Sequence, residues 1–296
     1  MTTRYAPLVG ALSLLWGASY LFIKIAGREL QPSTMMLIRV VVAASVLFGV
    51  VVAHGQLAEL RRAPFGAYLL GLFNSALPFT LIAWGERHVS SGLAAVANSS
   101  VPIFVALLAI RFRPAERPRG SRMAGVVLGL LGVGILTGAS PGGGWWGAAG
   151  TLAVVIASVS YAVSSLYGQT LIGETTGPVL STAALIGGAV LLLPFGIAQA
   201  PSQLPSLKTF ACVVALALLG TAIAQLLWFR LLRTYGSVRS SLVTYLLPAT
   251  ALVYGAIFLS ERVTAAEIGG FVLILGGVAL GSGAVRFGRA VVPEVS

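Results

Sequence analysis

Residues 102–133 read PIFVALLAIRFRPAERPRGSRMAGVVLGLLGV, and residues 248–278 read PATALVYGAIFLSERVTAAEIGGFVLILGGV. Pro102, Glu116, Gly125, Leu128, Leu130, Gly132 and Val133 of the first recur in the second as Pro248, Glu261, Gly270, Leu273, Leu275, Gly277 and Val278, at offsets of 145 or 146 residues. One unit is therefore written twice: an apolar stretch carrying a proline, a polar link carrying a glutamate, and a second apolar stretch rich in glycine. Each apolar stretch has about the 20 residues that a helix needs to cross ~30 Å of hydrocarbon. The duplicated unit is thus a pair of membrane helices.

Working outward, similar stretches fill the chain. Polar breaks separate ten of them, over residues 6–26, 33–53, 65–84, 90–110, 122–139, 146–168, 179–199, 208–229, 239–259 and 265–285. The predicted fold is all-α and integral to the membrane, with ten transmembrane helices as two five-helix repeats. Residues 1–142 form the first repeat, 143–289 the second and 290–296 a tail. Tyr20 in the first predicted helix matches Tyr161 in the sixth, which fixes five helices per half. An odd number inverts the second copy relative to the first. The first stretch is too long for a signal h-region and lacks a small-residue cleavage site, so it reads as a retained helix.

Composition agrees. Of 296 residues, 57% are apolar and 9% charged, against roughly half and a quarter in soluble domains. The formal charge of +11 would suggest nucleic acid in a soluble protein. Here the arginines sit between apolar stretches without interleaved aromatics, so no nucleic-acid partner is expected. They report orientation instead. With a cytoplasmic N-terminus, thirteen basic residues (4, 61, 62, 111, 113, 117, 119, 122, 230, 233, 239, 286 and 289) fall inside and four (Arg28, Arg87, Lys208 and Arg262) outside. That bias places both termini in the cytoplasm of a cell with this protein in its inner, plasma, membrane.

Inverted repeats can exchange conformations and so open a site alternately to either side, which points to transport of a small solute. Pro102 and Pro248, near the middle of the fourth and ninth predicted helices, are expected to kink them and mark that site. Asn74, Asn98, Tyr161, Gln225 and Tyr245 are uncharged hydrogen-bonding groups at similar depth, which must face the bundle rather than lipid. Trp16, Tyr20 and Trp84 offer aromatic walls. Lys24 and Arg39 are the two basic residues inside predicted helices, Lys24 within snorkelling reach of water and Arg39 roughly 9 Å deep at ~1.5 Å per residue. Arg39 is expected to pair with Glu86 as a gate, or to meet a carboxylate on the solute.

All eight glutamates fall in predicted loops, tails or helix ends, and there is no aspartate. Hence no carboxylate is expected to be buried at mid-membrane, and Glu86 is the least poor candidate for proton coupling. One cysteine, Cys212, and two histidines, His54 and His88, provide neither a disulfide nor a metal set. No metal, cofactor or catalytic residue is expected. A membrane-embedded enzyme would need a cluster of such groups, and a channel gains nothing from inverted repeats. Glycines at four-residue spacing, Gly125 and Gly129, Gly134 and Gly138, Gly277 and Gly281, make small faces that suit either contact between the halves or a homodimer.

Trp16 and Gly17 followed by Lys24, the entry from Pro32 to Arg39, and the repeated proline, Glu, Gly, Leu, Gly-Val segment together resemble the EamA-like group of the drug/metabolite transporter superfamily, over about residues 6–285. The resemblance implies a central cavity between inverted repeats, with Trp16, Tyr20, Lys24, Arg39, Asn98 and the Pro102 and Pro248 helices at the cavity and its gates. It also implies export of an amino acid or related metabolite, or efflux of drugs and toxic compounds. Two departures stand out: the link 111–122 is unusually rich in arginine, and Ala157 replaces Trp16 in the second half.

Overall fold

A computed structural model describes residues 5–112, 120–138, 144–171, 175–240 and 242–281. Every regular element among them is helical, as hydrocarbon demands of a backbone whose polar groups must be satisfied within the segment. The helices are α1 (Tyr5–Ala26), α2 (Pro32–Ala53), α3 (Phe65–Gly85), α4 (Ser91–Phe112), α5 (Ser121–Gly138), α6 (Gly144–Leu171), α7 (Gly177–Ala198), α8 (Leu207–Leu231, running on to Ser240), α9 (Leu242–Leu259) and α10 (Ala265–Gly281). A short helix, Leu57–Arg62, follows α2. Seven, α1–α4 and α6–α8, are long and apolar enough to cross a bilayer; α5, α9 and α10 hold shorter apolar runs, Met123–Thr137, Leu246–Leu259 and Ala265–Leu280.

Helix starts follow local chemistry. Pro32 and Pro178 sit in the first turns of α2 and α7, where a missing N–H costs nothing. Ser90 and Ser206 cap α4 and α8 by accepting from the amides of Leu93 and Thr209. The predicted break at 230–239 is absent: the helix continues through it to Ser240, because nothing in that polar stretch is a proline and its one glycine, Gly236, is tolerated within a helix. The arginine-rich link at 113–119 with Glu116, Glu174 and the tail 290–296 lie outside the described residues.

The helices pack in a pattern that survives exchange of the halves. The pairs α1 on α8 and α9 correspond to α6 on α3 and α4; α2 on α8 corresponds to α7 on α3; and α2–α7, α4–α9 and α5–α10 pair with themselves. Each half is therefore completed by the other, with Leu, Met, Val and Ala of α1, α2, α3, α4, α6, α7 and α8 in one shared core. Burial is inverted relative to a soluble protein. Phe48, Leu131, Phe195, Ile197, Ile257 and Phe258 are exposed, whereas Ser13, Ser75, Ser100, Ser158 and Thr182 are buried. Such an apolar exterior is at home in lipid.

The glycine faces settle their partner at one seam. A Cβ on Gly277 would stand 2.5 Å from the Gly125 carbonyl oxygen and 2.6 Å from the Gly129 amide nitrogen, so these faces hold α5 to α10 within the chain. Gly134 meets nothing within 4 Å.

Two interruptions set the interior. α4 is two helices, Ser91–Asn98 and Val101–Phe112, joined by a turn at Ser99 and Ser100. Pro102 thus falls in the first turn of the second piece and kinks no continuous helix, a correction to the expected symmetry, whereas Pro248 does lie inside α9. α3 and α8 each contain a π-helical segment, Leu72–Ala76 and Leu218–Ile223. These begin 146 residues apart, the offset that also relates Pro32 to Pro178.

Candidate substrate cavity

The broken helix α4 and the widened helices α3 and α8, with α1, α2, α6 and α9, enclose a cavity of about 330 Å³, at the small end of the roughly 300–1,000 Å³ of small-molecule sites. Of the residues singled out in the sequence, Trp16, Tyr20, Arg39, Asn74, Asn98, Tyr161 and Gln225 line it. Six helices, α1, α2, α3, α4, α6 and α8, bring them together. Lys24 and Trp84 do not line it, and the Tyr245 side chain lies outside the described ones.

The π-helical segments explain why the wall is polar. A π turn misaligns the i to i−4 ladder and pushes side chains out of register. Asn74 and Gly220 occupy equivalent places in the two segments, as do Ser75 and Thr221, and three of these four residues line the cavity. Gly220 also lets α8 approach α1: a Cβ there would lie 2.4 Å from Ser19 Oγ.

A hydrogen-bonded ring fixes the polar groups. Asn98 Nδ2 donates to Tyr20 Oη at 2.9 Å, and Ser158 Oγ donates to Asn98 Oδ1 at 3.2 Å. Ser164 Oγ donates to Asn74 Oδ1 at 3.3 Å, and Ser181 Oγ to Gln225 Oε1 at 3.3 Å. The amide orientations of Asn74, Asn98 and Gln225 are thereby set from behind, leaving the cavity a wall of held dipoles.

Arg39 is the one charged residue among those that line the cavity, and it is 5% exposed. Its Nε donates to Thr221 Oγ1 at 2.9 Å, and its guanidinium lies 3.6 Å from the centroid of the Phe79 ring. Phe79 packs edge-on to Tyr161, and Trp16 against Trp228. The expected pairing of Arg39 with Glu86 is not made: neither Glu86 oxygen has a hydrogen-bond partner among the described residues. Cation–π contact and one neutral hydroxyl hold the guanidinium, and leave its remaining donors without a carboxylate.

The end of the cavity beyond Ile23 and Ile82 is shut. Lys24 does not snorkel to water; its Nζ donates to the carbonyl oxygens of Glu86 and, at 2.6 Å, of Val89, closing the end of α3 as a basic group suits a helix C-terminus. Glu261, in the link after α9, accepts from the Ser91 amide and from Ser91 Oγ at 2.6 Å. Ser90 Oγ donates to Glu267. Trp84 belongs to this end, meeting the His88 ring at a tilt, and His88 in turn stacks on Trp146. Burial and the neighbouring Arg87 and Lys24 push the His88 imidazole below its ordinary pKa. Glu86 and Glu267 stand at helix ends, as expected, yet are only 1% and 2% exposed. Their places at helix ends concealed that neighbouring helices cover those ends.

Phe79, Thr221 and Trp228 were not singled out from the sequence. Threonine is hard to separate from residues that bond their own helix, and a lone aromatic in an apolar helix carries no signal of its own. Among the described residues no cluster of three His, Cys, Asp or Glu could hold a metal.

The model of the EamA-like transporter family matches residues 5–138 and again 148–283. The chain belongs to the EamA-like transporter family. It is a membrane transporter built from two EamA repeats, and its membership of the drug/metabolite transporter superfamily is consistent with that. An uncharacterized transporter of Archaeoglobus fulgidus is 27% identical over 89% of this chain and 93% of its own length. The uncharacterized inner membrane transporter YedA of Escherichia coli is 30% identical over 84% and 82%. A probable amino-acid metabolite efflux pump of Escherichia coli is 25% identical over 95% and 97%. A crystal structure superposes with a TM-score of 0.68, covering 95% of this chain and 96% of that one at 22% identity, which supports the fold alone.

Proposed function

We propose that this EamA-like transporter exports a small solute bearing a carboxylate, such as an amino acid or a related metabolite, by alternating access between two inverted five-helix repeats. In this reading α5, α9 and α10 cross the bilayer as well, both termini are cytoplasmic, and the closed end at Lys24 and Glu86 faces outward. The observation that carries the proposal is Arg39: a buried guanidinium on a neutral wall, with no acid opposite it among the residues that line the cavity. A buried charge held by a hydroxyl, a ring and the weak acceptor Met36 Sδ is costly, and a solute carboxylate would offset that cost through charge-assisted, bidentate bonds. Asn74, Asn98, Tyr161 and Gln225 would meet the solute's amine and polar atoms, and Trp16 and Tyr20 its apolar part. The name of the Escherichia coli efflux pump supports the same class.

Drug efflux is the second reading, favoured by Trp16, Phe79, Tyr161 and Trp228 around the cavity. Arg39 disfavours the lipophilic cations among such compounds. Counterflow in proteoliposomes tests the choice. Vesicles loaded with pooled amino acids should take up a labelled member of the pool by trans-stimulation, and Arg39→Ala should weaken it strongly at low solute concentration. Absence of stimulation for every amino acid, with folded protein, sinks the amino-acid reading and leaves drugs, sugars and nucleosides to be tried in the same vesicles.

A further inference from the structure

Glu86 is a buried acid that the cavity does not use. It follows α3 directly, is 1% exposed, and neither carboxyl oxygen has a hydrogen-bond partner among the described residues. The cation closest to hand is already committed: Lys24 Nζ donates to the backbone oxygens of Glu86 and Val89. The other charged or titratable groups that act on it are Arg39 from α2, Glu261 from the link after α9 and Tyr20 from α1. Arg39 is held by Thr221 and Phe79, and Glu261 by Ser91. On its own turn Arg87 is exposed and donates to Gln31 Oε1, and His88 stacks on Trp146 with Trp84 tilted against its ring.

An ionised carboxylate with no donor, removed from water, costs several kcal/mol more than the neutral acid, which has no charge to desolvate. We propose that Glu86 is a proton-binding site: it carries a proton while this end of the cavity is closed, and loses it when the end opens. The proposal rests on the alternating-access reading above but on no particular solute. Opening would bring water to the carboxyl and free Lys24 from the two carbonyls that α3 and the following turn present to it. The free ammonium then meets the carboxylate at the distance of an ion pair. The balance is one carboxylic O–H broken and one proton delivered to water, with the carboxylate neutralised by Lys24. Closing reverses each step. Burial, the dominant effect, raises the carboxyl well above the ordinary carboxylate range; Lys24 acts against it, Glu261 adds to it and Arg39 acts against it. Low pH on the side to which this end opens therefore favours closure.

Two measurements on the full chain decide the matter without knowledge of the solute. In the first, infrared spectra of reconstituted protein at neutral pH should contain the C=O stretch of a protonated carboxyl that shifts in heavy water and disappears in Glu86→Gln. Glu267→Gln, which alters the other buried acid, should leave it in place, and Glu86→Asp should move it without removing it. In the second, a cysteine replaces Ala83, which is 2% exposed and does not line the cavity, in a Cys212→Ser background. Its labelling by an aqueous maleimide is referred to a cysteine at exposed Gln203. The ratio should rise severalfold with pH in the parent and stay low and flat with Glu86→Gln, which imitates the protonated acid. Absence of the carboxyl band, its survival in Glu86→Gln, or a flat ratio in the parent each overturns the proposal. Trans-stimulated uptake alongside any of these would leave the carrier reading standing while the proton site falls.

Discussion

At the scale of the residue, Arg39 is the one charged side chain lining the cavity, and the proposed preference for a carboxylate rests on it. Hydrogen bonds to charged groups contribute about 1.5–3 kcal/mol each, so Arg39→Ala should weaken half-saturation for a carboxylate solute by roughly ten- to a hundredfold. Arg39→Lys should recover part of this, since an ammonium keeps the charge but not the planar fork; concentration dependence of counterflow reads both. Glu29 behaves as a pH-sensitive tie. Ser206 donates to it through its hydroxyl and its amide, both at 2.7 Å, joining the α1–α2 turn to the start of α8. These bonds hold its carboxyl below the ordinary value of 4.5. Since the folded pKa is the lower one, the contribution is present above 4.5 and lost as pH falls through the folded value. The melting temperature of the parent should exceed that of Glu29→Gln at neutral pH and converge on it in acid.

At the scale of the element, the seam between α5 and α10 divides glycines by role. Gly277→Leu forces a side chain into the Gly125 backbone and should cost about 1–3 kcal/mol, as overpacking does, visible as a lower melting temperature in detergent. Gly134→Leu meets open space and should leave the melting point equal or raised, because leucine is the better helix former. The same elements show what a sequence can and cannot disclose. Helix positions were legible because a run of some 20 apolar residues has one structural outcome in lipid, and the duplication was legible because Pro248, Glu261 and Gly277 keep the spacing of Pro102, Glu116 and Gly132 to within one residue. The π-helical segments were not, since a widened turn changes the hydrogen-bond ladder without changing hydropathy. The break at Ser99 and Ser100 was hidden by the adjacent Pro102, which suggested a kink where there is a new helix start. Seven of the ten expected cavity residues converge, because a polar side chain in a membrane helix has few places to go. Glu86 stood out in the sequence as an acid near the outer helix ends, but its burial did not, because that depends on α1 and α4 rather than on its neighbours in sequence.

At the scale of the whole molecule, the closed end is held by Glu261 on the start of α4 and Glu267 on Ser90, contacts that span the two repeats. Cysteines at Ser91 and Glu261 joined by a short thiol-cleavable cross-linker, in a Cys212→Ser background, should arrest counterflow, and reduction should restore it; uptake that continues while cross-linked would show that this end need not part. Fusion of the repeats into one chain has a historical consequence as well. Offset by 146 residues, as Pro32 is from Pro178, Arg39 corresponds to Leu185, itself 1% exposed. An ancestor assembled from two identical copies of one repeat would have had to place two guanidiniums around one cavity or none. Joining the copies released each to mutate alone, so the chain could acquire a chemical polarity that its architecture, read as shape, does not have.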